Sequence, residues 1–363
     1  MSENVLYDIA VIGSGPAGAT FARLLSKNFK TIIIDKKSTE ASTSVSNFTK
    51  PCGGLLAEDA QKALSKFSLA LPKATLVDPQ IFAVRTIDLQ NNITKHYQRF
   101  YINLDRKKFD EWLTSLIPDS VEKACHAVCT EIKRTNDTFE IKFKQDGVIK
   151  TVNAKNLIGA DGASSIVRKL LYPKKKLRYY TSIQQWYENE AMHPVYSCVF
   201  DKAVTDCYSW IVSKDGHFVL GGAFPPNDSK NRFELLKDKL AKQGYDFSKP
   251  IKTEACLVLR PNKFNYFCTG YKNAFLIGEA AGFISPSSLE GISYALNSAH
   301  ILAKIFNENK TNKNREYSKK TTKMRIHLTL KSIKSPFMYW SPIRKLVMLS
   351  GLKAIDVMEM NNA

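Results

Sequence analysis

Nowhere in this 363-residue chain do about 18 apolar residues follow one another, so no segment has the makings of a spanning helix. The N-terminus, MSENVLYDIAVIG, lacks the basic start of a secretory signal: it is acidic first and passes straight into a strand pattern. The seven cysteines are an odd number and include no C-x-x-C pair. That argues against both a disulfide framework and a zinc site, and suggests a reducing cytoplasm. Internal repeats and low-complexity linkers are also absent. So are a G-x-S-x-G turn and a second G-x-G-x-x-G turn, and with them any expectation of a separate NADPH-binding domain.

Acidic residues are scarce beside basic ones, 34 against 53, for a formal charge of +19. The excess is local: Lys304 to Lys353 holds 13 basic and 2 acidic residues. Such a run suits an anionic partner, whether lipid headgroups, nucleic acid or an acidic protein. A lysine-rich surface of compositional origin is the plainer alternative. With 44% hydrophobic and 24% charged residues over this length, the chain should fold into about two globular cores.

Tyr7 to Ile12 is a short apolar run of the kind buried on both faces of a sheet. Gly13-Ser14-Gly15-Pro16-Ala17-Gly18 follows, then a helical stretch from Ala19 to Lys27, then a second apolar strand Thr31 to Ile34 ending at Asp35. Strand, glycine turn, helix, strand and acid together make a dinucleotide-binding unit. Gly13 permits the tight turn, Gly15 lets the backbone approach a pyrophosphate, and Gly18 lets helix and strand pack closely. The helix N-terminus supplies free N–H groups and a positive dipole end, and Asp35 is placed to accept from ribose hydroxyls. From Pro79 to Arg99 the period changes to two, predicting a hairpin turning at Asn91-Asn92. Further strands between Ser182 and Phe224, including Tyr196 to Phe200 and Phe218 to Gly222, predict an antiparallel sheet. From about residue 311 the pattern is helical, with Pro336 and Pro342 marking breaks.

Three later segments separate the possible dinucleotides. Leu157 to Arg168 (LIGADGASSIVR) is a strand ending in Asp161-Gly162, and Ala274 to Gly282 (AFLIGEAAG) is a strand ending in Gly278-Glu279. Asn103-Leu104-Asp105-Arg106 opens a helix with an arginine. In this order the segments resemble the group A flavoprotein hydroxylase fold, in which a G-x-G-x-x-G turn, an Asp-Gly motif and a Gly-Asp motif jointly hold FAD. The family's usual aspartate is here Glu279, one methylene longer. The resemblance implies that Glu290-Gly291-Ile292 offers backbone N–H groups to the flavin's pyrimidine edge. It places Arg106 on the pyrophosphate side and Val128 at the adenine, with Pro16, Ala17 and Lys36 in the nucleotide set.

Lys50-Pro51-Cys52-Gly53-Gly54-Leu55-Leu56 narrows the resemblance to geranylgeranyl reductases, flavoenzymes that saturate isoprenoid double bonds, and specifically to one branch of that family over nearly the full length. The segment Tyr208-Ser209-Trp210-Ile211 resembles the family's Tyr-x-Trp element, although Val212-Ser213 stands where the family has Phe-Pro. The resemblance implies an α/β architecture: a Rossmann-like FAD-binding domain (1–78, 100–175, 266–310), an inserted antiparallel-sheet substrate domain (79–99, 176–265) and basic C-terminal helices (311–363). Cys52, Gly53, Gly54 and Leu55 would lie against the flavin. Cys52, flanked by proline and two glycines, either donates a proton as a thiol or is a small residue that leaves room for the ring. Tyr208 and Trp210, two apart on a strand, either wall a prenyl chain or are half-buried sheet aromatics.

The activity implied is FAD-dependent reduction of a C=C bond in an isoprenoid or lipid-like substrate. A flavin monooxygenase and a non-catalytic flavin- or lipid-binding protein are the alternatives. The expected partners are an apolar, polyprenyl-type small molecule and an electron donor, either NAD(P)H or an acidic flavodoxin or ferredoxin. An anionic membrane surface is the further candidate; nucleic acid and metal are not expected. In the basic tail, Leu328, Leu330, Ile333, Phe337 to Trp340, Ile343, Leu346, Val347 and Leu349 mix with positive charge at helical spacing. They either pack as a lid or form an interfacial helix at the inner face of the membrane. The six histidines lie apart from one another and read as structural, His126 within a strand among them, and Cys198, Cys207, Cys256 and Cys268 read as small core residues.

Overall fold

A computed structural model describes residues 5–37, 50–188 and 193–357. The chain divides into two compact units: Met1–Thr49, Lys107–Arg178 and Leu259–Lys331 in the first, and Lys50–Arg106, Tyr179–Val258 and Ser332–Ala363 in the second. The second unit therefore begins at Lys50 rather than at residue 79, and takes in the C-terminal segment as well. All seven cysteines are free thiols.

The first unit is an eight-stranded sheet. Its strands are β1 (Leu6–Ile12), β2 (Thr31–Ile34), β6 (Val121–Ala124), β7 (Ala127–Thr135), β8 (Thr138–Gln145), β9 (Val148–Gly159), β15 (Gly270–Tyr271) and β16 (Ala274–Leu276). Its spine runs β15-β16-β9-β1-β2-β6, with β1 parallel to both β2 and β9, and β7, β8 and β9 form an antiparallel meander. The apolar run Ile9 to Ile12 is buried throughout, as a parallel strand covered on both faces must be. Helix α1 (Pro16–Leu24) packs beside α6 (Ile292–Asn307), where Phe306 takes the edges of Phe21, Phe29 and Phe275 at centroid distances of 5.8, 5.9 and 5.4 Å. Helices α3 (Arg106–Ser115), α4 (Ile166–Leu171) and α7 (Lys313–Lys320) complete this part of the chain. His126 is not in a strand: it has φ +53° in the link from β6 to β7, where its N–H bonds Lys37 O at 3.1 Å.

The second unit carries a nine-stranded sheet of β3 (Leu55–Leu56), β4 (Ile81–Asp88), β5 (Ile93–Asn103), β10 (Tyr179–Glu188), β11 (Val195–Phe200), β12 (Ser209–Lys214), β13 (His217–Phe224), β14 (Lys252–Leu259) and β17 (Ala354–Ile355). Its order is β14-β10-β13-β12-β11-β4-β5-β17, with β3 paired to β5. The expected hairpin is β4–β5, with Asn92 at φ +52° in its turn. The sheet is not wholly antiparallel. β4 and β11 pair in parallel, because the chain leaves β5 for the first unit and returns as β10 before β11 is laid down. Alternation sorts the faces. Ile183, Tyr187, Val199, Ile211 and Leu220 face α5 (Ser229–Ala241) through Phe233, Leu236 and Leu240. Val84, Tyr196, Trp210, Val212 and Val219 take the other side, and α2 (Glu58–Lys66) follows β3.

Near the C-terminus, α8 (Thr322–Tyr339) runs through Pro336. The break falls at Trp340, the N-cap of α9 (Ser341–Leu349), and not at Pro336. Leu328 is buried, but Ile333, Phe337, Trp340, Leu346, Val347 and Leu349 are all exposed. What α9 turns inward is Arg344, whose Nε bonds the buried Asp88 Oδ2 at 2.7 Å and whose Nη1 reaches Met338 O at 3.0 Å. Among the described residues no helix is long and apolar enough to cross a membrane, and no group of His, Cys, Asp and Glu is placed to hold a metal.

Candidate functional site

In the first unit the carboxyl ends of β1, β2, β9 and β16 converge. Ala160 N–H bonds Ile12 O at 2.8 Å, Gly13 N–H bonds Ile34 O at 2.9 Å, and Ile277 N–H bonds Gly159 O at 3.0 Å. That is where ligands bind in open parallel sheets. The three turn glycines differ in their surroundings. Gly13 has φ +99° and a Cβ on it would fall 2.6 Å from Ala160 O, while a Cβ on Gly18 would land on the Gly13 carbonyl. Those two serve the packing of strand, turn and helix. Gly15 is ordinary extended backbone at φ −62°, and a Cβ there meets nothing within 4 Å. It faces open space in front of α1, whose N-terminus has no side-chain cap.

The acids line this same end. Asp35 is buried and accepts from Ser14 N–H, and from Lys37 N–H at 2.6 Å. Asp161 Oδ2 accepts from Ile166 N–H at 2.7 Å, but its Oδ1 is buried with no partner. Burial pushes the Asp161 carboxyl up, against the Ser165 hydroxyl and the backbone N–H groups that favour its charge. Gly278 has φ +57°, a Cβ on it would sit 2.8 Å from Ala17 Cβ, and its N–H bonds Ser298 Oγ of α6 at 3.0 Å. Glu279 Oε1 accepts from Leu259 N–H at 3.0 Å. Gly291 is the N-cap of α6, again without a side-chain cap, and Ile292 is its first helical residue. Gly13, Gly15, Pro16, Ala17, Gly18, Asp35, Asp161, Gly278, Glu279, Gly291 and Ile292 are thus built on one unit. Lys36 and Val128 belong to that unit too and are exposed. Two bare helix ends and an open glycine fit the phosphates of a dinucleotide, and an orphaned carboxylate oxygen fits one of its hydroxyl groups.

Sequence reasoning noticed Arg168 without giving it a role. It is 3% exposed, and its guanidinium bonds Ala280 O at 2.8 Å and Ala163 O, tying the Asp161-Gly162 turn to the Glu279 segment.

Cys52, Gly53, Gly54, Leu55 and Arg106 belong to the second unit, together with Tyr208 and Trp210. The Cys52 turn is held from three sides. Gly54 N–H meets Cys52 Sγ at 3.5 Å, the Cys256 thiol points at Pro51 O at 3.8 Å, and Leu104 N–H bonds Gly54 O at 2.9 Å. Gly54, at φ +62°, could not be another residue: a Cβ there would meet Leu104 O and lie 2.7 Å from Lys214 Nζ. Lys214 is the residue sequence reasoning missed. It is 4% exposed, and its ammonium donates to Asn103 Oδ1 at 2.6 Å and Leu104 O at 2.8 Å. Burial pushes it down to about 8, against the negative pull of Cys52, Asp105 and Asp215. The Lys214-Asp215-Gly216 sequence resembles a solvated hairpin turn, so nothing local in it signals a buried cation. Tyr208 and Trp210 are brought together, with ring centroids 5.8 Å apart. Trp210 is 6% exposed and Tyr208 half-buried.

No protein-family model matches the chain. Protein CbrA of Shigella flexneri serotype 5b is 46% identical over 349 residues, covering 96% of this chain and 94% of that protein. Among solved structures, the geranylgeranyl bacteriochlorophyll reductase-like protein of Thermoplasma acidophilum superposes with a TM-score of 0.76 at 19% identity, covering 94% of this chain and 90% of that one. The p-nitrophenol 4-monooxygenase PnpA of Pseudomonas putida gives a TM-score of 0.69 at 14% identity, with 96% and 94% covered. The fold is therefore the one these proteins share, and the CbrA likeness holds along nearly the whole length of both sequences. The chain belongs to the CbrA family.

Proposed function

We propose that this protein is an FAD-dependent oxidoreductase that reduces a C=C bond of an isoprenoid or lipid-like substrate. FAD is the cofactor, its pyrophosphate at Gly15 and the N-terminus of α1 and its polar groups at Asp35, Asp161, Glu279 and the start of α6. Reduced flavin supplies the hydride. The observation that carries the reductive reading is Cys52, a free thiol on a turn clamped by Gly54, Cys256 and Leu104, in a unit whose sheet carries the aromatic pair Tyr208 and Trp210. With hydride supplied to one carbon, the Cys52 thiol would give its proton to the other, and the thiolate would recover a proton from water. Tyr208 and Trp210 hold the hydrocarbon chain and exclude water. Electrons come from NAD(P)H or from an acidic flavodoxin or ferredoxin. The test is single turnover of anaerobically reduced holoprotein with geranylgeraniol, followed by mass spectrometry. Gain of two hydrogens supports the reading, and Cys52→Ser should keep FAD while slowing the step by about 10²–10⁴-fold. Product that forms only with oxygen makes the protein a monooxygenase, and no product with or without oxygen leaves a flavin- and lipid-binding protein.

The C-terminal helix supports a membrane-derived substrate. α9 is inverted: Arg344 and Met348 are buried, while Leu346 and Leu349, with Leu352 beyond, are 69%, 60% and 69% exposed beside the exposed Lys345 and Lys353. Apolar side chains rimmed by lysine, in a stretch carrying 13 bases and 2 acids, complement an anionic bilayer, and that surface is the proposed occupant. The protein should co-sediment with phosphatidylglycerol vesicles at low salt and weakly or not at all with phosphatidylcholine, and Leu346→Asp should abolish it. No binding to anionic vesicles at low salt removes this reading.

A further inference from the structure

The sheet face that carries Trp210 is not wholly apolar. Residues directly opposite across strands share a face, and the register sets Gln184 on β10 beside Gly221 on β13, and Gly221 beside Trp210 on β12. Gly221 puts no side chain between them, and the indole lies over it: a Cβ at Gly221 would fall 2.5 Å from Trp210 Nε1 and 2.6 Å from Cζ2. Gln184 is 2% and Trp210 6% exposed. The amide orientation of Gln184 is fixed, because its Nε2 donates to Glu254 Oε2 at 2.9 Å, an oxygen that also accepts from Trp186 Nε1 at 3.0 Å. That leaves Gln184 Oε1 buried without a partner, and Trp210 Nε1 is likewise buried without one.

Buried polar groups are normally satisfied, so an acceptor and a donor left open on one face call for a ligand that answers both. A hydrocarbon answers neither. A phosphate or carboxylate would accept from the indole N–H but has nothing to give Gln184 Oε1, and it would come up against the Glu254 carboxylate. An ammonium would suit Gln184 and leave the indole N–H open. A hydroxyl both accepts and donates. Beside Cys52, Gly53 leaves the edge of the indole uncrowded: a Cβ there would find only Trp210 Nε1, at 3.9 Å.

We propose that Trp210 Nε1 and Gln184 Oε1 form a recognition pair for an uncharged hydroxyl group, so that the substrate is a prenyl-type alcohol rather than a hydrocarbon or a diphosphate ester. This rests on the isoprenoid reading above and deepens it. The test is equilibrium binding to the FAD-loaded full chain of three probes: geranylgeraniol, geranylgeranyl diphosphate, and the hydrocarbon of the same skeleton without oxygen. The alcohol should bind about tenfold tighter than the hydrocarbon, and tighter than the diphosphate. Trp210→Phe, which keeps an aromatic ring and removes the N–H, and Gln184→Met, which keeps the length and removes the acceptor, should each weaken the alcohol about tenfold more than the hydrocarbon. Equal affinities for alcohol and hydrocarbon in the unaltered protein, a preference for the diphosphate, or equal losses for both ligands in the two variants would each overturn the pair while leaving the isoprenoid reading in place. If none of the three probes binds, the isoprenoid reading falls and the pair falls with it.

Discussion

Valine at Gly15 separates two tasks that glycines perform in the turn from β1 to α1. The backbone at Gly15 (φ −62°, ψ −176°) is open to any residue, including one that precedes a proline, and no protein atom stands within 4 Å of the added Cβ. The folding cost of Gly15→Val should stay within about 0.5 kcal/mol. Gly18→Ala is the contrast: its Cβ lands on the Gly13 carbonyl, and the helix must move off the strand at a cost of about 1–3 kcal/mol. The space valine fills is the space a pyrophosphate needs. Losing two charge-assisted hydrogen bonds, at about 1.5–3 kcal/mol each, weakens FAD binding by about 3–6 kcal/mol, or on the order of 10²–10⁴-fold in Kd. The assay is urea unfolding with and without added FAD, alongside a flavin fluorescence titration. Wild-type protein should gain stability with FAD, Gly15→Val should match it without FAD and gain almost nothing, and Gly18→Ala should be weaker in both. A Gly15→Val protein that folds and keeps stoichiometric FAD would show that the phosphate does not sit at this turn.

Two more expectations follow from buried charges of the second unit. With the Lys214 ammonium pushed down to about 8, the folded protein has lost a proton between pH 8 and about 10.4 that the unfolded chain still holds, so stability rises with pH across that window and the burial cost stands in full below it. Denaturation at pH 7.5 and 10.5 should therefore show wild type gaining about 3 kcal/mol relative to Lys214→Met, and a pH-independent difference would mean that the amine is not buried as a cation. Arg344→Met leaves the Asp88 carboxylate, whose side chain is 0% exposed, without its cation and should cost about 3–5 kcal/mol near neutrality. Burial pushes that carboxyl up, and Arg344 and Asn91 hold it below its usual range, so the variant's deficit should shrink on acidification as Asp88 takes a proton; a deficit unchanged by pH would refute the ion pair as its source.

The nucleotide half of the site was legible because its determinants are neighbours in sequence. Gly13, Gly15, Gly18 and Asp35 span one strand, one turn and one helix, and the Asp161 and Glu279 turns each close an apolar run that can only be a buried strand. The polar half was not, because its members meet only through strand register. Gln184 reaches Glu254 across 70 positions and Lys214 reaches Asn103 across 111, and no local pattern states which strands will lie side by side. Gln184 and Gln185 are both buried at the centre of β10, and a polar pair in the middle of a strand is a signal worth pursuing. The parallel pairing of β4 with β11 was hidden for the same reason, since alternation reports that a strand has two faces and says nothing of its neighbour's direction.

In the C-terminal helix the limit is of another kind: a helical period assigns two faces without saying which goes in. The usual rule sends leucine inward, yet α9 sends Arg344 inward and turns Leu346 and Leu349 out. The cause lies 256 positions away, at the end of β4, where Asp88 is buried at the mouth of the hairpin and accepts from Gln90 and Asn91 as well as from Arg344. A carboxylate there needs a cation more than the sheet needs another leucine, because an uncompensated buried charge costs more than a few exposed methyl groups. Once Arg344 is committed, the 3.6-residue period carries Met348 in beside it and forces Leu346, Leu349 and the residues following them to the outside. The exposed apolar ridge is thus the consequence of one ion pair, and the exposed Lys345 and Lys353 stand beside it.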